Sequence, residues 1–379
     1  VSKVLFVDEM KQAIESSASQ LYTSYGYNTD SGNYATPATY DGIDAAFPGE
    51  KNNKEMLYRV VVECRVIKSE KELSLLRYIN DIASDSHLET MRRARPEMYE
   101  FQLESMFKHY CYFAGGCRMD AYTAICGCGC NSATLHYGHA AAPNSSLVKD
   151  GDMCLLDMGT EFHCYTSDIT CSFPANGKFT EDQKAIFETV QDCQEQVMAA
   201  MRPGVAWIDM HTLTYRIICE HMVKIGILKG DVGTLMEKNL AGYFMPHGLG
   251  HFLGLDTHDV GGIPADKVDS RPKDLGYKSL RCLRVLKAGM VITVEPGVYF
   301  VDLLVRRLKT DPNLSVHVNA DVLDRFVGFG GVRLEDDVIV TKDGVENMTN
   351  CPRTVEDVEN VMNGTIKSRA ELKPLFYRK

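Results

Sequence analysis

Residues 245–259 read Met245-Pro246-His247-Gly248-Leu249-Gly250-His251-Phe252-Leu253-Gly254-Leu255-Asp256-Thr257-His258-Asp259, and this stretch sets the reading of the whole chain. His247 and His251 have the spacing of the H-E-x-x-H zinc helix. Two features exclude that helix. Gly248 and Gly250 both lie between the histidines, and each glycine costs about 1 kcal/mol relative to alanine inside a helix. The glutamate that would act as general base is also absent, because Gly248 stands after His247. What remains is a cluster of His247, His251 and His258 among Gly248, Gly250, Gly254, Gly261 and Gly262. That pattern suits a segment whose backbone comes close to a ligand.

Working outward, four carboxylates interrupt strand-like runs. Met153-Cys154-Leu155-Leu156 leads straight into Asp157, and Asp168 lies in Tyr165-Thr166-Ser167-Asp168-Ile169-Thr170. A buried aspartate in a strand is costly unless it is paired or bound to metal. An antiparallel hairpin would bring these two onto one face. Met290-Val291-Ile292-Thr293-Val294 has the pattern of a buried strand and runs into Glu295, ahead of Pro296-Gly297. Glu335 sits between Val332-Arg333-Leu334 and Val338-Ile339-Val340. Either glutamate alone would read as an ion-paired strand residue. Asp157, Asp168, His251, Glu295 and Glu335 together would repel one another at one place unless cations lay between them. The set points to a two-metal hydrolase. One imidazole among four carboxylates suits Mn²⁺ or a similar hard ion better than structural zinc.

Bulk properties narrow the class. A chain of 379 residues carries roughly two or three domains' worth of sequence. Its net charge of −10 argues against nucleic acid as a partner. No run approaches the ~18 apolar residues of a membrane span. The opening Val1-Ser2-Lys3-Val4-Leu5-Phe6-Val7-Asp8 is too short in apolar length for a signal peptide, and without an initiator methionine it reads as a fragment or processed form. Thirteen cysteines, an odd number, read as reduced thiols of a cytoplasmic protein. Cys126-Gly127-Cys128-Gly129-Cys130 is a candidate soft-metal site without the C-x-x-C spacing of structural zinc.

The organisation is that of an α+β protein. A turn-rich stretch from Asn28 to Asp41-Gly42, followed by Lys51-Asn52-Asn53-Lys54, places a boundary near residues 50–60. Ser69-Glu70-Lys71-Glu72 is a capping box opening a helix with Leu73, Leu76, Ile79 and Ala83 on one face. A second helix is expected from Glu97 to about Phe113, with Leu103, Phe107 and Tyr110 on one side. A third follows the capping box Thr180-Glu181-Asp182-Gln183 and stops at Pro203-Gly204. A fourth runs from Met210 to Ile225 and ends at Gly226. Residues 119–173 read as mostly extended, and strands are expected to dominate from 241 onward. Helix pairs alternating with antiparallel strands give the α+β class.

Residues 245–259, with Leu156-Asp157-Met158-Gly159, Ser167-Asp168-Ile169-Thr170, Thr293-Val294-Glu295-Pro296-Gly297 and Val332-Arg333-Leu334-Glu335-Asp336, resemble the signatures of the prolidase and aminopeptidase P family. The resemblance covers residue 60 or so to the end, and more loosely the whole chain. Leu135-His136-Tyr137-Gly138-His139 and Thr170-Cys171-Ser172-Phe173-Pro174-Ala175-Asn176-Gly177 look most like its eukaryotic prolidase branch. The resemblance implies a pita-bread catalytic domain with internal pseudo-symmetry, two Mn²⁺ ions per subunit, a homodimer, and hydrolysis of Xaa-Pro dipeptides to release proline. It makes Asp157 a ligand of one metal, Asp168 and Glu335 bridging ligands, and His251 and Glu295 ligands of the other. Two such metals activate a water and polarise the scissile carbonyl. Glu295 would relay a proton to the leaving nitrogen. His247 and His258 would stabilise the tetrahedral intermediate or orient the substrate, and Asp157 would anchor the free amino end. Arg281, helped by His136, would read the proline carboxylate, because a guanidinium forks two donors onto a carboxylate. Tyr122 matches a substrate-wall position, and Arg333 a supporting one beside the substrate.

The chain departs from the family pattern in two places. Residues 1–58 look like the remnant of a creatinase-type N-terminal domain, ahead of a catalytic domain over 59–379. The stretch Ser270-Arg271-Pro272-Lys273 reads as a short insertion near Arg281. The competing expectations are an aminopeptidase P, which acts on longer peptides, and a non-catalytic pita-bread binding protein, which would have lost metal ligands.

Overall fold

The computed structural model describes residues 4–139 and 142–372; the ends of the two expected units, residues 1–3 and 373–379, lie outside it. Two halves repeat one plan. In the first, helices α1 (Glu70–Arg93) and α2 (Glu100–Gly115) pack together and lead into strands β1 (Ile125–Cys128), β2 (Met153–Asp157) and β3 (Thr170–Pro174). These form an antiparallel sheet in the order β1-β2-β3. In the second, α3 (Glu181–Ala200) and α4 (Trp207–Ile225) pack together and precede β4 (Val291–Val294), β5 (Gly297–Tyr299), β6 (Gly331–Arg333), β7 (Asp336–Val340) and β8 (Val345–Asn347). Here β7 lies between β8 and β4, and β5 pairs with β6, all antiparallel. A bridge between Thr170 and Glu335 joins the halves, and one between Phe252 and Ile292 draws the histidine stretch onto β4. The arrangement is the expected α+β pita-bread fold.

The helices form where the capping signals stand. Ser69 and Thr180 each close a capping box with the residue three further on, Glu72 and Gln183. Leu73, Leu76, Ile79 and Ala83 of α1 are buried, as are Ile186, Val190, Cys193 and Val197 of α3. Gly226, at φ 88°, terminates α4. The second helix begins later than the sequence suggests: Glu97 is left-handed (φ 71°), and the chain turns helical only after Tyr99, whose N–H donates to Gln102 Oε1. Cys111, rather than the half-buried Tyr110, completes its inner face. Strands do not dominate after residue 241 as expected. Helices Asp302–Thr310, Ala320–Asp324 and Val355–Met362 lie there too. Their lengths of 9, 5 and 8 residues give too few turns for a 3.6-residue period to stand out.

The amino-terminal segment is built differently. It holds a helix at Val7–Ser17 and a two-residue parallel pairing of Leu21–Tyr22 with Asn52–Asn53. Among its described residues, its contribution to the buried apolar side chains is confined to Ile43 and Phe47. The helix Met56–Val66 runs across the boundary expected near residue 58.

Candidate active site

One cavity of about 400 Å³ between the two halves is lined by every residue singled out in the sequence: Tyr122, His136, Asp157, Asp168, His247, His251, His258, Arg281, Glu295, Arg333 and Glu335. The backbone ladder puts the acidic side chains there. Asp157 ends β2 opposite Thr170 on β3, and Asp168 lies two residues before that strand. The hairpin is antiparallel as expected, but its connection makes an excursion through two short strands, Thr160–Phe162 and Tyr165–Thr166. Glu295 follows β4, and its N–H donates to Leu249 O at 2.9 Å. Glu335 lies between β6 and β7, and its N–H donates to Thr170 O at 3.1 Å.

His251 is fixed from two sides. Its backbone N–H donates to Thr293 Oγ1 at 3.0 Å, and its ring Nδ1 lies 3.0 Å from Phe252 O. A proton on Nδ1 makes that contact and leaves Nε2 as an acceptor. Nε2 faces Asp168 Oδ2 at 3.3 Å and Glu295 Oε1 at 3.6 Å. Gly248 and Gly250 line the cavity, and each is also packed close against neighbouring backbone. A side chain at Gly250 would come within 2.0 Å of Thr293 O. This glycine is needed so that the histidine stretch can lie against β4.

The electrostatics of the donor set test whether cations fit. Atoms of Asp157, Asp168 and Glu335, and separately of His251, Glu295 and Glu335, lie within 4.8 Å of one another. Burial, reinforced by Asp157, holds the Asp168 carboxyl well above the usual range. Burial, then Asp168 and Glu295, does the same for Glu335. Burial lifts Glu295 to about 7, with His251 and Arg333 opposing. Tyr122 Oη lies 2.5 Å from both Asp157 Oδ1 and Asp168 Oδ1, and its one proton serves only one of them. Carboxylates crowded this far against ionisation are the donor set that a pair of divalent cations relieves. The residues fit a dinuclear metal centre.

Arg333 stands behind this set. Its Nη2 donates to Asp157 Oδ2 at 2.6 Å, Nη1 to Tyr299 Oη at 2.8 Å and Nε to Thr170 Oγ1 at 3.1 Å. It touches a metal-type ligand directly and is buried. His247 lies between Gly248 O at 2.7 Å and Tyr299 Oη at 3.1 Å. Burial, then Arg333, depresses its pKa to about 3, so its ring is neutral at neutral pH.

The far end of the cavity is made of loops. His136 lies exposed beside the turn Tyr137–His139. That loop is anchored by buried Glu100, which accepts from Cys128 N at 2.9 Å, Tyr137 Oη at 2.9 Å and Ser146 N at 3.0 Å. Arg281 donates from Nη1 to Asp30 Oδ1 at 2.6 Å, and Asp30 Oδ2 lies 3.6 Å from His258 Nδ1. The expected insertion buttresses this end: Arg271 Nη1 donates to Leu280 O at 3.1 Å. Cys126, Cys128 and Cys130 form no metal cluster among the described residues. Cys126 and Cys128 are buried in the β1 region, and Cys130 is exposed.

Sequence reasoning missed Asp30, Tyr299, Thr170 and Asp337. Asp337 accepts from Asp168 N at 2.9 Å and so orients a ligand from behind. Tyr299 and Thr170 read as ordinary strand residues, and only the ladder register reveals that they support Arg333. The Asn28-Thr29-Asp30-Ser31-Gly32 turn was visible, but nothing local signals where its tip reaches.

A buried cluster of four carboxylates and one imidazole at the meeting of two sheets defines a metal-dependent hydrolase. The chain belongs to metallopeptidase family M24, whose profile matches residues 74–342. It is 51% identical to the Xaa-Pro dipeptidase of Homo sapiens over 371 residues, 97% of this chain and 74% of that protein. It is 49% identical to the Xaa-Pro dipeptidase of Rattus norvegicus over 377 residues, 99% of this chain and 75% of that protein. Among solved structures, a variant of Escherichia coli aminopeptidase P superposes with a TM-score of 0.76 at 30% identity, covering 97% of this chain and 77% of that one.

Proposed function

We propose that the chain is a metal-dependent Xaa-Pro dipeptidase that binds two Mn²⁺ ions and releases C-terminal proline. The observation that carries this reading is a single cavity of about 400 Å³ with the metal-type ligands at one end and Arg281 at the other. A cavity near the lower end of the usual 300–1,000 Å³ range suits a small ligand. The identity of about 50% to mammalian Xaa-Pro dipeptidases supports the same substrate class.

Asp157, Asp168 and Glu335 would hold one ion, and His251, Glu295 and the shared Asp168 and Glu335 the other. Such a pair supplies an activated water and a polarised scissile carbonyl. Arg281 and His136 bind the substrate carboxylate. Glu295 carries a proton on its carboxyl between the attacking water and the leaving proline nitrogen. His258 would stabilise the tetrahedral intermediate or orient the substrate. His247, pinned between Gly248 O and Tyr299 Oη, orients the substrate beside Glu295, whose Oε2 is 3.7 Å from its Nδ1. Tyr122 walls the site against Asp157, which anchors the free amino end, and Arg333 holds Asp157 in place.

We assign the described residues up to 58 to an N-terminal unit and those from 59 on to the catalytic domain, a division that falls within the helix Met56–Val66. A homodimer is what the family resemblance implies. A cytoplasmic location is supported by thirteen cysteines that are all free thiols. No described helix is long and apolar enough to cross a membrane.

The test is Mn²⁺-dependent hydrolysis of Gly-Pro beside Gly-Pro-Gly. Cleavage of the dipeptide alone is expected. Cleavage of the tripeptide as well moves the assignment to aminopeptidase P. Metal binding without cleavage of either makes the chain a binding relative.

A further inference from the structure

We propose that Asp30 is a positioning residue for substrate recognition, holding the Arg281 guanidinium where the carboxylate of a dipeptide is read and the His258 ring beside it. The inference rests on the reading of Arg281 given above.

Asp30 is brought against Arg281 and His258 of the cavity lining by a small hairpin from outside the catalytic halves. Tyr27 and Tyr34 pair across it, and Asn28 N donates to Asn33 O at 2.8 Å. Asn28 Oδ1 accepts from Asp30 N at 2.9 Å and Ser31 N at 3.3 Å, and Gly32 takes φ 73°. Thr29 Oγ1 donates to Ile263 O at 3.2 Å, which pins the tip to the segment carrying Gly262. Arg281 rests on that same segment: Leu283 N donates to Gly262 O at 3.0 Å, and a side chain at Gly262 would lie 2.1 Å from Arg281 O. The hairpin tip and Arg281 therefore share one platform, and their side chains meet in an ion pair with Asp30 only 11% exposed.

Two charge relations follow. A long arginine side chain at a cavity rim samples many rotamers, and a fixed carboxylate selects one. The guanidinium carries five N–H donors, and the Asp30 pair engages Nη1, so donors remain for a second carboxylate. Asp30 also faces His258 Nδ1 at 3.6 Å, and the His258 ring lies 4.3 Å from that of His251. One carboxylate thus ties the group that reads the substrate's end to a histidine packed against the metal-type ligand His251. The hairpin's own hydrogen bonds come from Asn28, so the Asp30 carboxylate is not needed to fold it.

The experiment compares the full chain with Asp30→Ala, Asp30→Asn and Arg281→Ala, and with the double variant of Asp30→Ala and Arg281→Ala. KM and kcat for Gly-Pro are read, and proline binding is titrated by calorimetry alongside. Asp30→Ala is expected to raise KM and weaken proline binding about tenfold, the order expected for losing one partner of a partly buried charge pair, with kcat little changed. Asp30→Asn retains an oxygen that accepts from Nη1 and is expected to recover much of that loss. On the Arg281→Ala background, Asp30→Ala is expected to cost clearly less than it does alone, the remainder being the share that acts through His258. A lower KM or tighter proline binding in Asp30→Ala would show that Asp30 competes with the substrate carboxylate, and would overturn the proposal. An equal loss on the Arg281→Ala background would show that Asp30 does not act through Arg281, and would overturn it too. A wild-type chain that neither cleaves Gly-Pro nor binds proline sinks the reading of Arg281 itself; one that binds proline without cleaving still decides the role of Asp30.

Discussion

The two ends of the cavity are made by different means. At the metal-type end, ligands stand at strand ends and their positions follow from ladder register: Asp157 opposite Thr170, Asp336 opposite Val294. His251 and Asp168 side chains are 4% and 6% exposed there. At the other end, Arg281 and His258 are 31% and 38% exposed and stand on loops, tied by side-chain ion pairs. The difference teaches where each kind of precision comes from. Chemistry that needs atoms fixed to within tenths of an ångström is mounted on backbone hydrogen bonds. Selection of the substrate's far end rests on charge pairs that cost less to rearrange.

If that contrast is right, the largest effects come from the strand-mounted end. Asp168→Asn or Glu335→Gln removes a charge from the shared part of the ligand set. Either is expected to lower bound metal and to reduce kcat by on the order of 10³-fold or more. Elemental analysis beside the Gly-Pro assay checks both, and a variant keeping full metal and full activity would break the comparison. Arg333→Lys is expected to cost about 10- to 100-fold in metal affinity or activity, as loss of a group orienting a ligand does. A lysine cannot fork to Asp157, Tyr299 and Thr170 at once.

The same division explains what was legible in the sequence. Asp157, Glu295 and Glu335 interrupt apolar strand runs and Asp168 a β-like one, and a carboxylate inside such a run is anomalous enough to read without a structure. The capping boxes at Ser69 and Thr180 gave two long helices their starting points for the same reason: the signal is local. Arg281 had no local signal and rested on family resemblance. Asp30 had none at all, because its partners are 251 and 228 positions away and are met only through the tertiary fold. The glycines of the histidine stretch were visible, but only part of their purpose was: Gly248 and Gly250 line the cavity, and at Gly250 the Thr293 carbonyl also needs the space.

The loop-mounted end gives the next, smaller effect. Arg281→Ala is expected to raise KM for Gly-Pro roughly 10- to 100-fold, since a charge-assisted bidentate contact contributes a few kcal/mol at most. It should also narrow the preference for Gly-Pro over Gly-Pro-Gly, because among the described residues lining the cavity the other guanidinium, Arg333, is committed to Asp157. Steady-state kinetics on both peptides would sharpen the comparison. An unchanged preference would move carboxylate reading to His136 or to another group.

The smallest effect tests the support beneath the loops and touches stability alone. His211 lies buried between Tyr215 and Tyr277, with ring centroids 4.3 and 4.6 Å away. Neither ring nitrogen has a hydrogen-bond partner among the described residues. Burial depresses its pKa to about 3, from 6.5. The sign follows: the folded state resists a proton that the unfolded state accepts. This group's contribution is therefore fully present above about pH 6.5 and is lost as pH falls toward 3, at up to ~1.4 kcal/mol per unit. His211→Phe keeps the aromatic contacts and removes the titration. The melting temperatures of the variant and the wild type are expected to run parallel above pH 6.5, with the wild type falling more steeply below it. Parallel curves down to pH 4 would mean that the ring gains a proton partner on acidification, and that the loop end rests on a more adaptable base than the aromatic stack implies.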